Sequence, residues 1–258
     1  PMEGVFPFVD ELDTVGAFAR TADDVRTVQQ VMLGHDFGSV EIDHVRVGVL
    51  QGFFREGIDP AVLQAVDRVA EELGAKPVEL PAAAQARSAS FLLTAAQGGR
   101  RHLDALREDP SSFDDGTRDR LLAGALLPQG TEAAALSAAQ PFAEQLAALF
   151  EEVDLLVTPA TPVPAPRIDE ETIVIGGQTV NARAHLGMMT QPFGLSGVPS
   201  LSLPVPGSIG TLPIGVQMIA NHGKEGLLFA VAGLLEKAGI VMPARPVGLD
   251  SGDMRESA

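Results

Sequence analysis

The chain has no cysteine, tryptophan or tyrosine, and lysine occurs only at positions 76, 224 and 237. Without cysteine there is no disulfide, no thiolate metal site and no thiol nucleophile. With neither tryptophan nor tyrosine, and with a formal net charge of −16 at pH 7, the surface lacks stacking platforms and repels phosphate, so direct binding to nucleic acid is not expected. Long apolar runs are missing too. None approaches the ~18 residues that span a bilayer, and residues 1–25 carry no secretory pattern. We therefore expect a soluble chain without a membrane anchor, and the absence of cysteine is compatible with the cytoplasm.

Hydrophobic residues make up 45% of the 258 positions, enough for a substantial core. No repeat or linker divides the chain. One domain is expected over residues 1–242, followed by a flexible tail over 243–258 where the sequence becomes charged and rich in Pro and Gly.

Local signals indicate an α/β fold. Thr21-Ala22-Asp23-Asp24 has the form of a capping box, opening a helix that ends near Gly34. Val45–Leu50 reads as a buried strand, Asp59-Pro60 as the start of a helix whose Val62, Val66, Val69 and Leu73 share one face, and Lys76–Leu80 as a second strand. Strand, helix and strand at this spacing form a right-handed crossover, which implies a parallel or mixed sheet with helices on its faces. The Ala-rich stretch 82–106 is helical by propensity, with an interruption expected at Gly98-Gly99. Helices are expected at 116–127 and 131–151, and a strand at Val153–Val157. Four prolines between 158 and 166 exclude helix there. A hairpin is expected over Thr172–Ile175 and Thr179-Val180, apolar strands at Ser200–Val205 and Ile214–Ala220, and a closing helix at Glu225–Ala238.

Side-chain chemistry alone assembles no complete catalytic set. The five histidines, His35, His44, His102, His185 and His222, show neither helical i, i+4 pairing nor a cluster with carboxylates, and no metal or cofactor is called for. Gly194-Leu195-Ser196-Gly197 lacks the spacing of a nucleophile elbow and reads as a turn. Gly98-Gly99 lacks the Gly-Lys-Ser/Thr ending of a phosphate loop. Arg100 reads as part of a solvated helix face.

Four segments in order carry a resemblance: Gly4–Pro7 with Leu12–Gly16 and Ala19–Thr21; Asp154–Pro162; Thr190–Pro199; and Leu212–Ala220. Together they resemble the part of the amidase-signature family that follows its nucleophile region. The resemblance implies a mixed central β-sheet covered by helices on both faces. It also implies acyl transfer to a serine, assisted by a bridging serine on a cis peptide and a lysine. All three lie upstream of the matching segment, so no catalytic residue is assigned in this chain.

Residues 86–103 and 114–128 are most similar to family members that hydrolyse small ureido-carboxylates such as carboxybiuret, in cyanurate breakdown. The resemblance places substrate-side residues at Asp13, Thr14, Arg101, His102, Arg120 and Thr190. Arg120 matches an arginine that holds a substrate carboxylate, for which a planar guanidinium is suited. The plainer reading of Arg120 is a surface ion pair with Asp119 or Asp115. Gly187 stands where glutamine-using relatives place an aspartate that contacts the substrate ammonium, which favours a substrate with a carboxylate and no ammonium. The expected partners are a small amide, the nucleophile-bearing half of the enzyme, a small helical accessory subunit, and a second copy or another chain in an oligomer. Two other readings stay open: the A subunit of a glutamine amidotransferase, and a non-catalytic binding or scaffold chain.

Overall fold

The computed structural model describes residues 2–206 and 212–242, so the expected tail at 243–258 lies outside the described residues. Helix α1 (Ala22–Leu33) starts as its sequence indicates: Thr21 Oγ1 accepts from the Asp24 amide at 3.1 Å, and the helix ends in a left-handed Gly34. Strand β1 (Val47–Leu50) leads into α2 (Pro60–Glu72), where Asp59 Oδ1 accepts from the Ala61 amide at 2.8 Å and Pro60 occupies the first turn. Val62, Val66 and Val69 are fully buried along one stripe of α2. The chain returns through β2 (Lys76–Val78), which pairs in parallel with β1.

Helix α3 (Ala83–Arg101) runs straight through Gly98 and Gly99, which corrects the interruption expected there. The break falls at His102, before α4 (Leu103–Glu108). The glycines serve a contact. A Cβ on Gly99 would sit 2.6 Å from the Gly124 carbonyl carbon, and one on Gly98 would sit 2.9 Å from the Phe8 ring. Gly124 belongs to α5 (Asp115–Ala125), so α3 and α5 cross backbone against backbone. Helix α6 (Thr131–Glu152) then leads into β3 (Leu155–Pro159).

All five residues of β3 are buried, as expected for a strand with neighbours on both sides and cover on both faces. Its start is held by Asp154, whose carboxylate receives the Arg46 amide at 2.9 Å and the Arg46 guanidinium at 2.8 and 3.1 Å. The clasp occupies the residues just before both strands, and β1 and β3 each begin two residues later than the apolar runs suggest. The Arg46 hydrogen bonds hold the Asp154 carboxyl below the usual carboxylate range, against the opposing effect of partial burial. A carboxyl depressed on folding contributes stability that is fully present above its unfolded pKa, about 3.9, and is lost as pH falls through the folded value. Asp154→Asn is therefore expected to lower stability slightly at neutral pH and to flatten its decline below about pH 4, checked by urea midpoints across pH.

Strands β4 (Thr172–Ile175) and β5 (Gln178–Asn181) form a separate antiparallel hairpin. Its turn is pinned to the body by the Gly176 amide donating to Gly57 O at 3.0 Å. A single turn, α7 (Ala182–His185), follows directly. The segment expected as a turn is a short helix, α8 (Gln191–Ser196), closed by a left-handed Gly197. Phe193 anchors it, packing on Phe54 at 5.5 Å and Phe142 at 5.6 Å between ring centroids. Strands β6 (Ser200–Val205) and β7 (Ile214–Ala220) and helix α9 (Glu225–Lys237) complete the described chain.

The sheet order is β2-β1-β3-β7-β6. The first two pairings are parallel and the last two antiparallel, so the sheet is mixed and helices flank it. The main core gathers β1, β3 and β7 with α2 and α9, and a smaller one joins Val9, Ala89, Leu93 and Ala135. Among the described residues no helix is long and apolar enough to cross a membrane.

Candidate binding site

Helix α5 presents Thr117, Arg120, Leu121 and Gly124 at helical spacing, and all four line a cleft of about 670 Å³ together with Phe91 of α3 and Arg183 of α7. Arg118 lies off that stripe and makes the surface ion pairs, with Asp115 at 2.8 Å and Asp119 at 3.1 Å. Arg120 pairs with neither. It is half-buried, its guanidinium carbon lies 5.2 Å from the centroid of Phe91, and its Nε has no hydrogen-bond partner among the described residues. Burial, and secondarily the charge of Arg183, push its pKa down from the ordinary arginine value. A guanidinium stays protonated regardless, so the cleft holds a cation that has no counter-ion among the described residues. Apolar walls with few polar groups are the usual form of a small-ligand site.

A larger groove, about 1130 Å³, runs along α2. Its lining mixes Arg55 and Arg68 with Asp59, Asp67 and Glu71, and Arg55 pairs with Asp67 at 2.8 Å, whereas the charged side chains lining the Arg120 cleft are arginines alone.

The other residues expected on the substrate side lie elsewhere. Arg101 pairs with Asp10, and Arg100, exposed on its helix face as expected, pairs with Glu132. His102 is buried, stacked on Phe6 at 5.0 Å and Phe8 at 5.7 Å, with Nε2 3.1 Å from Pro7 O. Arg101 and His102 thus fasten the N-terminal segment to the end of α3, and only Phe8 of that segment lines the cleft. Asp13 accepts the amides of Phe8 and Val9 at 2.6 and 3.0 Å, closing a turn in the same segment, while Thr14 is exposed. Thr190 heads α8 and its hydroxyl donates to Gly187 O at 3.0 Å; it does not line the Arg120 cleft.

Arg183, which lines the cleft, carries no sequence signal, and Arg87 lies behind its wall. Arg183 donates to Asp114 at 2.9 Å and to Thr117 Oγ1 at 2.8 Å. Arg87 donates to Ala184 O at 3.3 Å and leaves its Nε without a partner among the described residues. No group of three or more metal-ligating side chains occurs among the described residues.

Comparison with known proteins agrees with this architecture. The Amidase family profile matches residues 1–229. The chain is 34% identical over 255 residues to AtzE, the 1-carboxybiuret hydrolase subunit of Pseudomonas sp. (strain ADP), covering 92% of this chain and 56% of that protein. It is 28% identical over 289 residues to the A subunit of glutamyl-tRNA(Gln) amidotransferase from Carboxydothermus hydrogenoformans, covering 94% and 58% respectively. Among solved structures it superposes with a TM-score of 0.87 at 33% identity on an s-triazine catabolic enzyme in an inhibitor-bound protein complex, covering 94% of this chain and 57% of that one. A crystal structure of an amidase gives a TM-score of 0.84 at 27% identity, covering 92% and 56%. The chain spans a little over half the length of the relatives it matches. A family match across most of the sequence, on the mixed sheet and helices described, shows that the chain belongs to the amidase family.

Proposed function

We propose that this chain supplies the substrate-side wall of an amidohydrolase that cleaves a C–N bond of a small ureido-carboxylate resembling 1-carboxybiuret. The reacting serine belongs to polypeptide outside these residues. Its oxygen attacks the carbonyl carbon, the C–N bond breaks, the amine leaves with a proton, and water then hydrolyses the acyl-serine ester. The carrying observation is Arg120, a half-buried cation in an apolar cleft with no carboxylate partner among the described residues. A substrate carboxylate would relieve that imbalance through two parallel N–H···O bonds. The similarity to the 1-carboxybiuret hydrolase subunit supports the same substrate class. The likeness to a chain solved within a protein complex supports a partner subunit.

Gly187 weighs against the glutamine-dependent reading. It offers no charge for an ammonium, although the space would admit a side chain: a Cβ there would meet only Thr190 Oγ1 at 3.8 Å and Gln191 Nε2 at 3.9 Å. Joined to the nucleophile-bearing half, the enzyme should release ammonia from carboxybiuret and not from glutamine. Gly187→Asp should fold normally and lower kcat/KM for the anionic substrate by roughly tenfold through like-charge repulsion. Ammonia release from glutamine at a comparable kcat/KM would overturn the assignment in favour of an amidotransferase.

A further inference from the structure

A second guanidinium faces the Arg120 cleft. The hairpin β4–β5 and the Asn181 cap deliver Arg183 across the first turn of α5, where Nη1 donates to Asp114 and Nη2 to Thr117. Gly116 leaves room for the crossing as it stands, since a Cβ there would sit 2.7 Å from Nη1 and the guanidinium would have to shift. A guanidinium carries five N–H donors and these bonds engage two, leaving three. Asp114 is the only carboxylate bonded to Arg183 among the described residues, and it is also the N-cap of α5, accepting from the Thr117 amide at 3.0 Å. Two cations therefore share one largely apolar cleft in a chain whose net charge is −16. A third, Arg87, reaches Ala184 on its wall.

We propose that this cleft is a two-pronged anion site, in which Arg120 holds one carboxylate and the free N–H groups of Arg183 hold a second acceptor. Its ligands are then short molecules with two acceptor ends, small dicarboxylates or acylated carboxylates, in preference to simple monocarboxylates. The proposal rests on Arg120 as carboxylate anchor and adds Arg183 as the specificity-determining residue. It also gives the ureido-carboxylate an orientation, with its carboxylate toward α5 and a carbonyl toward α7.

Calorimetric titration of the 258-residue chain with malonate and with acetate separates the two claims, run at about 0.5 M chloride so that distant charges are screened. Malonate is expected to bind at least about tenfold more tightly than acetate, the return on one added charge-assisted contact. Arg183→Gln and Arg183→Ala should abolish that preference while keeping acetate binding. Arg120→Ala should lose both ligands. Asp114→Asn, which keeps an N-cap side chain and frees Arg183, should bind malonate as well as the parent or better. Retention of the malonate preference in both Arg183 variants, or its absence in the parent, would overturn the second prong and leave Arg120 standing. Loss of the preference in Asp114→Asn would also overturn it, by showing that Arg183 only holds α5 in place. Unchanged acetate binding in Arg120→Ala, or no binding of either anion to the parent, would overturn the anchor itself.

Discussion

Gly124→Ala is expected to destabilise the chain by more than about 3 kcal/mol, lowering its thermal midpoint by roughly 10 °C. The added methyl carbon would lie 2.6 Å from the Ala95 carbonyl carbon and closer still to its oxygen. Both partners are helix backbone, so no rotamer change relieves the clash and α3 must move away from α5. Ordinary overpacking destabilises by about 1–3 kcal/mol, and helix propensity gives back about 1 kcal/mol for Gly to Ala. The clash wins because backbone cannot yield locally. Gly233→Ala in α9 is the matched control. Nothing lies within 4 Å of its added methyl, so the same substitution should stabilise by up to about 1 kcal/mol. Opposite signs in two thermal melts would support the packing argument, whereas a Gly124→Ala midpoint within about 2 °C of the parent would show the crossing to be loose. Because Gly124 also lines the Arg120 cleft, the variant that melts early should also lose carboxylate binding.

That crossing marks where local reading of the sequence runs out. Asp59-Pro60 and Gly74, or Thr21 and Gly34, announce their helices because a cap acts within a few residues of itself. The β1–α2–β2 crossover is legible for the same reason, and the apolar runs of β3 and β7 identify the centre of the sheet. Propensity predicts a helix break at Gly98 and Gly99, yet Gly99 lies against the backbone of α5, more than twenty residues on, and Gly98 against the Phe8 ring, ninety residues before it. The site divides the same way. The family resemblance singles out Arg120 but leaves a surface pair open, and the stripe Thr117, Arg120, Leu121 and Gly124 along the cleft, with Arg118 making the surface pairs, is what separates the two arginines. Arg183 carries no such mark. Its place depends on a hairpin turn docked on Gly57 and on the open first turn of α5, both tertiary facts. The family resemblance puts Arg101 and His102 on the substrate side, but their partners are Asp10 and the Phe6–Phe8 segment. A basic residue beside an aromatic-rich N-terminal stretch looks the same in sequence whether it meets ligand or its own chain.

Arg120→Ala in the complete enzyme should lower kcat/KM for a ureido-carboxylate by roughly 10²–10³-fold and change that for a neutral amide by less than about threefold. The magnitude follows from truncating one partner of a desolvated, hydrogen-bonded charge pair, which removes about 3–4 kcal/mol and leaves the substrate anion against apolar walls. The ring of Phe91, 5.2 Å from the Arg120 guanidinium carbon, strengthens the case, since a cation–π contact helps to hold the charge in place at the cleft. Arg120→Lys keeps the charge and loses the fork, so it should recover only part of the loss. If binding were uniform in ground and transition states, the deficit would sit in KM; if Arg120 also aligns the scissile bond with the serine, kcat falls too. An equal loss on the anionic and the neutral substrate would mean that Arg120 supports the cleft only as structure. Phe91→Leu then serves as the cross-check. It removes the stacking platform and keeps the charge, so it should weaken the anionic substrate several-fold and spare the neutral one, a pattern that a general loosening of the α3–α5 wall would not give.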